Sequence, residues 1–280
     1  MATRVCPICS NTKITIEDKK TGVFFCEPCN HRFRLNAQDF VKKHYDNYIE
    51  ESKEKLTNEH RNFFVFPNWK LYDYIISKIP YKKDSKLLEV ACGTGTCLRH
   101  IQINRADLKL YGIDLFQNSR GGINFIKGDI YNTEIKEKFD VIVCKDIIEH
   151  TEDIKKFMRK LKPLLKKDGI LFINITDSNV LIYRLTKLIK SIWSVPYERL
   201  HRPYHLNYFT EQSFRNLLNL SGFKTMKTKR YSAPLISIDT PHKSFVIRKI
   251  YKILAMLLFF ISRLLRQEYY LMFICKNNMK

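Results

Sequence analysis

Four cysteines near the start of the chain form two pairs, Cys6-Pro7-Ile8-Cys9 and Cys26-Glu27-Pro28-Cys29, with sixteen residues between them. Two such knuckles put four thiolates at the corners of a tetrahedron, the arrangement of a structural Zn²⁺ centre. Because Cys6, Cys9, Cys26 and Cys29 would fill every position with thiolate, no open site remains for chemistry at the metal. The ion then acts as a folding staple for a segment too short to have its own core. A lid or recognition module is the sharper alternative. His31, two residues after Cys29, is a conceivable substitute ligand, but a surface position is expected for it.

A second set of chemistry-bearing residues stands at the ends of short apolar runs. In Leu87-Leu88-Glu89-Val90-Ala91-Cys92-Gly93-Thr94-Gly95-Thr96 a strand leads into a glycine-bearing turn and then a helix. Gly93 and Gly95 let the backbone pass close to a ligand, and the following helix presents free N–H groups. Asp114 closes the second run, where a carboxylate can take both ribose hydroxyls. Asp129 follows the third run, within reach of an adenine amino group. Lys145 and Asp146 end the fourth, at the switch-point crevice where open α/β sheets bind ligands.

Here the chain resembles the class I S-adenosylmethionine-dependent methyltransferases, over roughly Lys86 to Lys276. Glu89-Val90-Ala91-Cys92-Gly93-Thr94-Gly95 is close to that family's first motif, E/D-x-G-x-G-x-G. The resemblance implies that Glu89 orients the methionine part of the cofactor and that Ala91, Cys92, Gly93 and Gly95 pack under it. It also gives the ribose to Asp114 and the adenine to Asp129, with Leu115, Ile130 and Lys145 completing the cofactor site. Ala91 stands where glycine is usual. Only eight residues separate Asp114 from Ile123, so the helix after the second strand is expected to be vestigial.

Phe139-Asp140-Val141-Ile142-Val143-Cys144-Lys145-Asp146 and the following Glu149-His150 are similar to the branch that methylates small molecules, including the O-methyltransferases of quinone synthesis and polysaccharide loci. Asp146, Glu149 and His150 are spaced i, i+3, i+4 and share a face if the segment is helical. Such a face could hold a divalent ion or a proton acceptor; alternatively, Glu149 and His150 only order the loop. His205, in His205-Leu206-Asn207-Tyr208-Phe209, is similar to a His-x-x-x-Phe feature of the same branch. An imidazole suits deprotonation of an attacking hydroxyl, and hydrogen bonding to the top of the sheet is its bland alternative. His150, His205 and Asp146 are thus the candidate catalytic residues. The Asn/Asp-Pro-Pro-Tyr tetrad of many base methyltransferases is replaced by Lys145-Asp146-Ile147-Ile148, which argues against methylation of an exocyclic base amine.

The elements that must position these residues follow from hydrophobic pattern. Lys86–Ala91, Lys109–Asp114, Ile123–Lys127, Phe139–Cys144 and Gly169–Thr176 are near-continuous apolar runs, as in a parallel sheet covered on both faces. Asp153–Lys167 reads as an amphipathic helix, and Thr210 caps another that Gly222 closes. Lys224–Tyr231 and Glu268–Lys276 read as the last strands. The expected fold class is α/β, a doubly wound, Rossmann-like seven-stranded methyltransferase sheet preceded by a small zinc ribbon. The expected organisation is a ribbon over 1–36, a helical linker or cap over 37–80, and the methyltransferase domain over 81–280 with basic amphipathic insertions at 180–200 and 240–267.

The 280 residues carry 49 Lys+Arg against 28 Asp+Glu, a formal charge of +21, which points to an anionic partner. With 45% hydrophobic residues the chain is not a disordered one. The first residues show no apolar signal core, so a cytoplasmic location is expected. In Val180–Ile192 and, more strongly, Ser244–Arg266, basic residues flank apolar faces. The uncharged core of the second, Ile253–Ser262, is too short to span a bilayer. It fits an interfacial helix on the inner face of an anionic membrane, or a helix packed in the core. The leading expectation is methyl transfer from S-adenosylmethionine to a hydroxyl of a small-molecule, sugar or lipid-linked glycan acceptor. The alternatives are a zinc-ribbon ribosomal RNA methyltransferase and a non-catalytic methyltransferase-like scaffold.

Overall fold

Four of the five apolar runs become strands that are mostly buried, as in a sheet sandwiched between helices, while the run Ile123–Lys127 lies at the sheet edge and is only partly covered. The computed structural model describes residues 5–35, 68–115, 121–201, 205–232 and 244–277. Within them β4 (Lys86–Val90), β5 (Lys109–Asp114), β6 (Asn124–Lys127), β7 (Phe139–Cys144) and β8 (Leu165–Thr176) pair in parallel. β11 (Tyr270–Asn277) runs antiparallel between β8 and β10 (Phe223–Tyr231). The order across these seven strands is β10-β11-β8-β7-β4-β5-β6. This is the doubly wound methyltransferase sheet expected from the sequence. β5 and β7 leave β4 on opposite sides, so the crevice at the carboxyl ends of these three strands is where such a sheet takes a ligand.

The N-terminal cysteine segment forms β1 (Ile14–Asp18), β2 (Val23–Cys26) and β3 (His31–Arg34), an antiparallel meander. Its fourth strand comes from far along the chain. β9 (Asn207–Tyr208) pairs with β3 through Arg32↔Tyr208 and Phe33↔Asn207. Cys6, Ile8, Cys26, Cys29 and Phe33 are buried in the same apolar cluster as Leu88, Ile142 and Phe273 of the large sheet. His31 accordingly has no exposed surface, contrary to the surface position expected for it. Its ring stacks near Phe33 and Phe209, at 5.8 and 5.0 Å between centroids, and Nε2 meets Asn207 Oδ1 at 3.2 Å. Burial pushes the imidazole down to about 3, so it stays neutral.

The helices are α1 (Trp69–Ile76), α2 (Thr96–Asn104), α3 (Ile154–Leu164), α4 (Leu181–Ile189), α5 (Val195–Leu200), α6 (Glu211–Leu220) and α7 (Phe245–Leu264). Thr210 caps α6 through a capping box with Ser213, as the sequence suggests. The helix expected over Asp153–Lys167 stops earlier. Asp153 caps its start, but β8 takes over at Leu165 rather than Gly169. Leu165 pairs with Phe139 and Ile170 with Val141, so β8 carries three more residues than β7 across that interval and bulges. Burying Leu165 against the sheet outweighs another half-turn of helix.

In the amphipathic stretch Val180–Ile192 the helix, α4, likewise ends early, at Ile189, and α5 begins beyond the stretch at Val195. Lys187 and Lys190 of the stretch pair with Glu17 and Asp18 of β1 rather than facing solvent anions. Of the expected 37–80 linker, residues 37–67 lie outside the described residues, and α1 occupies most of the rest.

Candidate active site and zinc centre

The two knuckles bring the Sγ atoms of Cys6, Cys9, Cys26 and Cys29 within 4.8 Å of one another. Cys6 and Cys29 are 3.4 Å apart, and Cys9 and Cys26 are 3.5 Å apart. Zn–S bonds of about 2.3 Å in a tetrahedron put sulfurs about 3.8 Å apart, so the set fits Zn²⁺ with little adjustment. Each knuckle turns through a left-handed residue just after its second cysteine, Ser10 with φ 59° and Asn30 with φ 53°. Among the described residues no other His, Cys, Asp or Glu group gathers in this way.

At the carboxyl end of β4 the chain turns through Ala91, Gly93 and Gly95, all left-handed, with φ 55°, 53° and 71°. Ala91, which stands for the usual glycine, therefore carries a conformation that L-residues adopt at a cost of about 1 kcal/mol. A Cβ on Gly95 would lie 2.8 Å from Phe125 Cζ, so that position is closed to side chains by packing as well as by φ. The turn is tied to the neighbouring strand. The Gly93 N–H donates to Asp114 Oδ2 at 2.8 Å, and the Cys92 N–H to the Ile113 carbonyl at 3.2 Å. Cys92 is buried and Leu115, just past β5, is half-exposed. Asp129 follows β6; its Oδ1 accepts the Tyr131 N–H at 2.9 Å, and the adjacent Ile130 is buried. The Gly128 N–H donates to the Asp114 carbonyl at 2.8 Å and holds the two acidic turns side by side.

Glu89 is buried under this turn, and burial pushes its carboxyl up to about 8. Its Oε2 has no hydrogen-bond partner among the described residues. Lys145 and Asp146 pair at 2.8 Å. Burial alone would lower the Lys145 ammonium, but Asp146, Tyr72 and Glu89 outweigh it and hold it raised. Burial would likewise raise the Asp146 carboxyl, yet Lys145, Asn174 and His150 hold it below the ordinary carboxylate range. Asp146 is left-handed (φ 54°) and is gripped by Asn174 from both sides: its N–H donates to Asn174 Oδ1 at 2.9 Å and its Oδ1 accepts from Nδ2 at 3.0 Å. Asp146 therefore has its oxygens engaged within the fold.

The i, i+3, i+4 face over Asp146, Glu149 and His150 does not form. Only Ile148–His150 is helical, as a single 3₁₀ turn, and Ile147 has φ −126°. Glu149 points inward instead. It is buried, and its Oε1 accepts the Thr176 N–H at 2.9 Å. His150 meets His205, their rings edge to face at 4.8 Å. The partner segment is held on two sides. The Leu206 N–H donates to the Glu149 carbonyl at 2.8 Å, and Leu206 O accepts the Arg34 N–H at 2.9 Å. Asn207 Nδ2 donates to the Thr151 carbonyl at 2.7 Å, and Thr210 Oγ1 to the Asn30 carbonyl at 3.0 Å. The cysteine segment and the turn after β7 thus clamp the 205–210 segment between them.

Residues 59–228 match the family model described as a methyltransferase domain, more than half of the chain. The chain belongs to this methyltransferase-domain family. Malonyl-[acyl-carrier protein] O-methyltransferase of Calditerrivibrio nitroreducens is 34% identical over 87 residues, 30% of this chain and 36% of that protein. Ubiquinone biosynthesis O-methyltransferase of Rickettsia bellii is 27% identical over 128 residues, 40% of this chain and 52% of that protein. The chain thus spans about half or less of the length of these curated relatives. The 1,6-didemethyltoxoflavin-N1-methyltransferase of Burkholderia thailandensis, solved with its substrate and S-adenosylhomocysteine, shares the fold with a TM-score of 0.53. Its identity is 11%, over 89% of this chain and 96% of that one.

Three residues near this candidate site are absent from the sequence reading. Asn174 was legible as a polar residue inside the apolar run of β8. Tyr72 of α1, whose ring lies 6.0 Å from Lys145 Nζ, and Tyr231 at the end of β10 carry no such mark. Glu149 makes a testable prediction. Burial, with the Asp146 charge adding to it, pushes its carboxyl from the ordinary 4.5 up to about 7. The unfolded chain loses that proton near pH 4.5 whereas the folded chain keeps it to about 7, so stability falls as pH rises across this window and levels off above it. Glu149→Gln keeps an acceptor for Thr176 and removes the titration. Its melting temperature relative to wild type is expected to rise between pH 5 and 8, as thermal scans across that range would show. An unchanged difference would place the proton elsewhere.

Proposed function

We propose that this chain transfers the methyl group of S-adenosylmethionine to a hydroxyl of a small-molecule acceptor, with lipid-linked glycans the favoured class. The observation that carries the reading is the convergence of two sets of groups at one edge of the sheet. One is the turn of Ala91, Gly93 and Gly95 tied to Asp114; the other is the His150–His205 pair after β7. The residues fit the cofactor. The buried Glu89 Oε2, without a partner among the described residues, is an acceptor suited to an ammonium, and Asp114 to vicinal hydroxyls. Gly93, Gly95 and Cys92 form the floor, and Asp129, Ile130 and Leu115 the adenine side. Lys145 balances the acidic residues around it.

When bound, S-adenosylmethionine supplies a methyl on a sulfonium, open to in-line displacement. The chain's task is alignment and proton management. With the cofactor bound, an imidazole of the pair would take the hydroxyl proton as the acceptor oxygen takes the methyl group, and the sulfur, keeping the bonding pair, would leave as S-adenosylhomocysteine. Asp146, fully engaged by Lys145 and Asn174, acts as an orienting charge for His150. The module over 1–36, with one structural Zn²⁺, supports this site rather than taking part in the reaction. The names of the relatives, malonyl-[acyl-carrier protein] and ubiquinone biosynthesis O-methyltransferases, support an oxygen acceptor on a small or carrier-linked molecule.

The test is S-adenosylhomocysteine release from S-adenosylmethionine with a panel of phenolic, sugar and lipid-linked hydroxyl acceptors. Replacing the acting base by alanine, in His150→Ala or His205→Ala, is expected to lower kcat by about a hundredfold to ten-thousandfold. It should also alter the acidic side of the rate–pH profile, with S-adenosylhomocysteine affinity unchanged. If both variants keep the wild-type kcat and pH profile, neither histidine is the base.

A further inference from the structure

α7 is poorly covered for its length: of its twenty residues only Ser262 is buried. Val246, Ile250, Leu257, Phe260 and Leu264 are each at least half exposed. The end of α4 and the turn to α5 add Leu188 and Ile192, 80% and 92% exposed, and Trp193 stacks on Tyr251 of α7 at 5.8 Å. The two elements are therefore neighbours, and each exposes more apolar side chains than the scattered few normal for a soluble chain.

The topology puts this surface beside the reaction edge. β10 and β8 both run antiparallel to β11, and Tyr231, Tyr270 and Thr176 lie in register. α7 is inserted between Tyr231 and Tyr270, and α4 follows Thr176. Both helices thus leave from the carboxyl edge of the sheet, where the Gly93–Gly95 turn and Asp146 also lie.

Charge decides among occupants. α7 carries Arg248, Lys249, Lys252 and Arg263 and no acidic residue, and its basic residues flank the uncharged run Ile253–Ser262. Lys187 and Lys190 of the α4 region are already paired with Glu17 and Asp18, which leaves Leu188 and Ile192 facing outward without those charges. A second copy laid on α7 would set cations against cations with no carboxylate on either helix. An anionic lipid surface satisfies both features: apolar side chains enter the acyl boundary and the flanking lysines and arginines reach the phosphates. No helix among the described residues is long and apolar enough to cross a membrane, so α7 would lie in the plane of the interface.

We propose that α7, together with the α4–α5 turn, docks the protein on an anionic bilayer and holds the carboxyl edge of the sheet against the lipid phase. Docking is independent of the acceptor, but its use rests on the proposed reaction: an acceptor with a lipid anchor would reach the site laterally. The intact protein is floated with vesicles of phosphatidylcholine, alone or mixed with phosphatidylglycerol, in parallel with S-adenosylhomocysteine calorimetry. Binding is expected only to the anionic vesicles, to weaken partially with salt, and to fall about tenfold in Leu257→Asp/Phe260→Asp with cofactor affinity unchanged.

A milder probe, Phe260→Trp, should shift its fluorescence to the blue on adding the anionic vesicles. No flotation and no blue shift would overturn the proposal. So would sedimentation of the wild type as a dimer that the double aspartate variant dissociates, or RNA binding that collapses with salt and ignores both positions while vesicles are left unbound. Loss of cofactor affinity in the aspartate variant together with an unshifted tryptophan would assign α7 to the core and overturn it equally. Failure of methyl transfer with wild-type flotation would count against the reaction alone.

Discussion

Methyl transfer is expected to fall in Cys26→Ser at least as far as in His205→Ala, while S-adenosylhomocysteine affinity changes by no more than about threefold. Loss of one thiolate opens the four-cysteine centre, and a structural zinc site contributes about 10–16 kcal/mol to the folding of such a segment. The damage should run along a defined route. β3 follows the second knuckle and is hydrogen-bonded to β9, and Asn30 and His31 hold Thr210 and Asn207. Without that clamp His205 loses its place beside His150. The cofactor turn follows β4 and is tied to β5 by the Gly93–Asp114 and Cys92–Ile113 hydrogen bonds, so it should persist. Metal analysis, calorimetry and turnover on the same preparation would check this. A zinc-free protein with full turnover would show that β9 holds without the metal.

Asp114→Ala is expected to weaken S-adenosylhomocysteine binding by about tenfold to a hundredfold, the loss of a charge-assisted hydrogen bond worth about 1.5–3 kcal/mol. Asp114 also accepts the Gly93 N–H at 2.8 Å, so alanine removes a ribose acceptor and a tether of the glycine turn together. Asp114→Asn separates the two. Its amide oxygen can still accept from Gly93, whereas the charge is gone, so its affinity should fall between wild type and alanine. Calorimetric titration of the three proteins gives the order. If asparagine binds as weakly as alanine, the carboxylate charge is the whole effect; if alanine binds like wild type, Asp114 is not the ribose acceptor.

What the sequence alone determined is what lies within a few residues along the chain. The two Cys-x-x-Cys pairs, the glycine turn after β4, the acids at successive strand ends and the capping box at Thr210 are all local, because turn, cap and ligand geometries need only short spacings. The parallel sheet was legible from its buried runs for the same reason.

The tertiary structure decided which distant groups meet. β9 is two residues long, too short to leave a periodic trace, and it pairs with a strand at the other end of the chain. His31 and Asn207 are 176 positions apart, and that meeting turned an expected surface histidine into a buried one. Lys187 and Lys190 read as free cations until Glu17 and Asp18 are folded against them. Glu149 sits at helical spacing from Asp146, yet the left-handed backbone at Asp146, gripped by Asn174 from β8, turns it into the core. Spacing along the chain encodes the element, whereas burial and pairing across the fold decide whether a charged side chain faces a ligand, a partner or the interior.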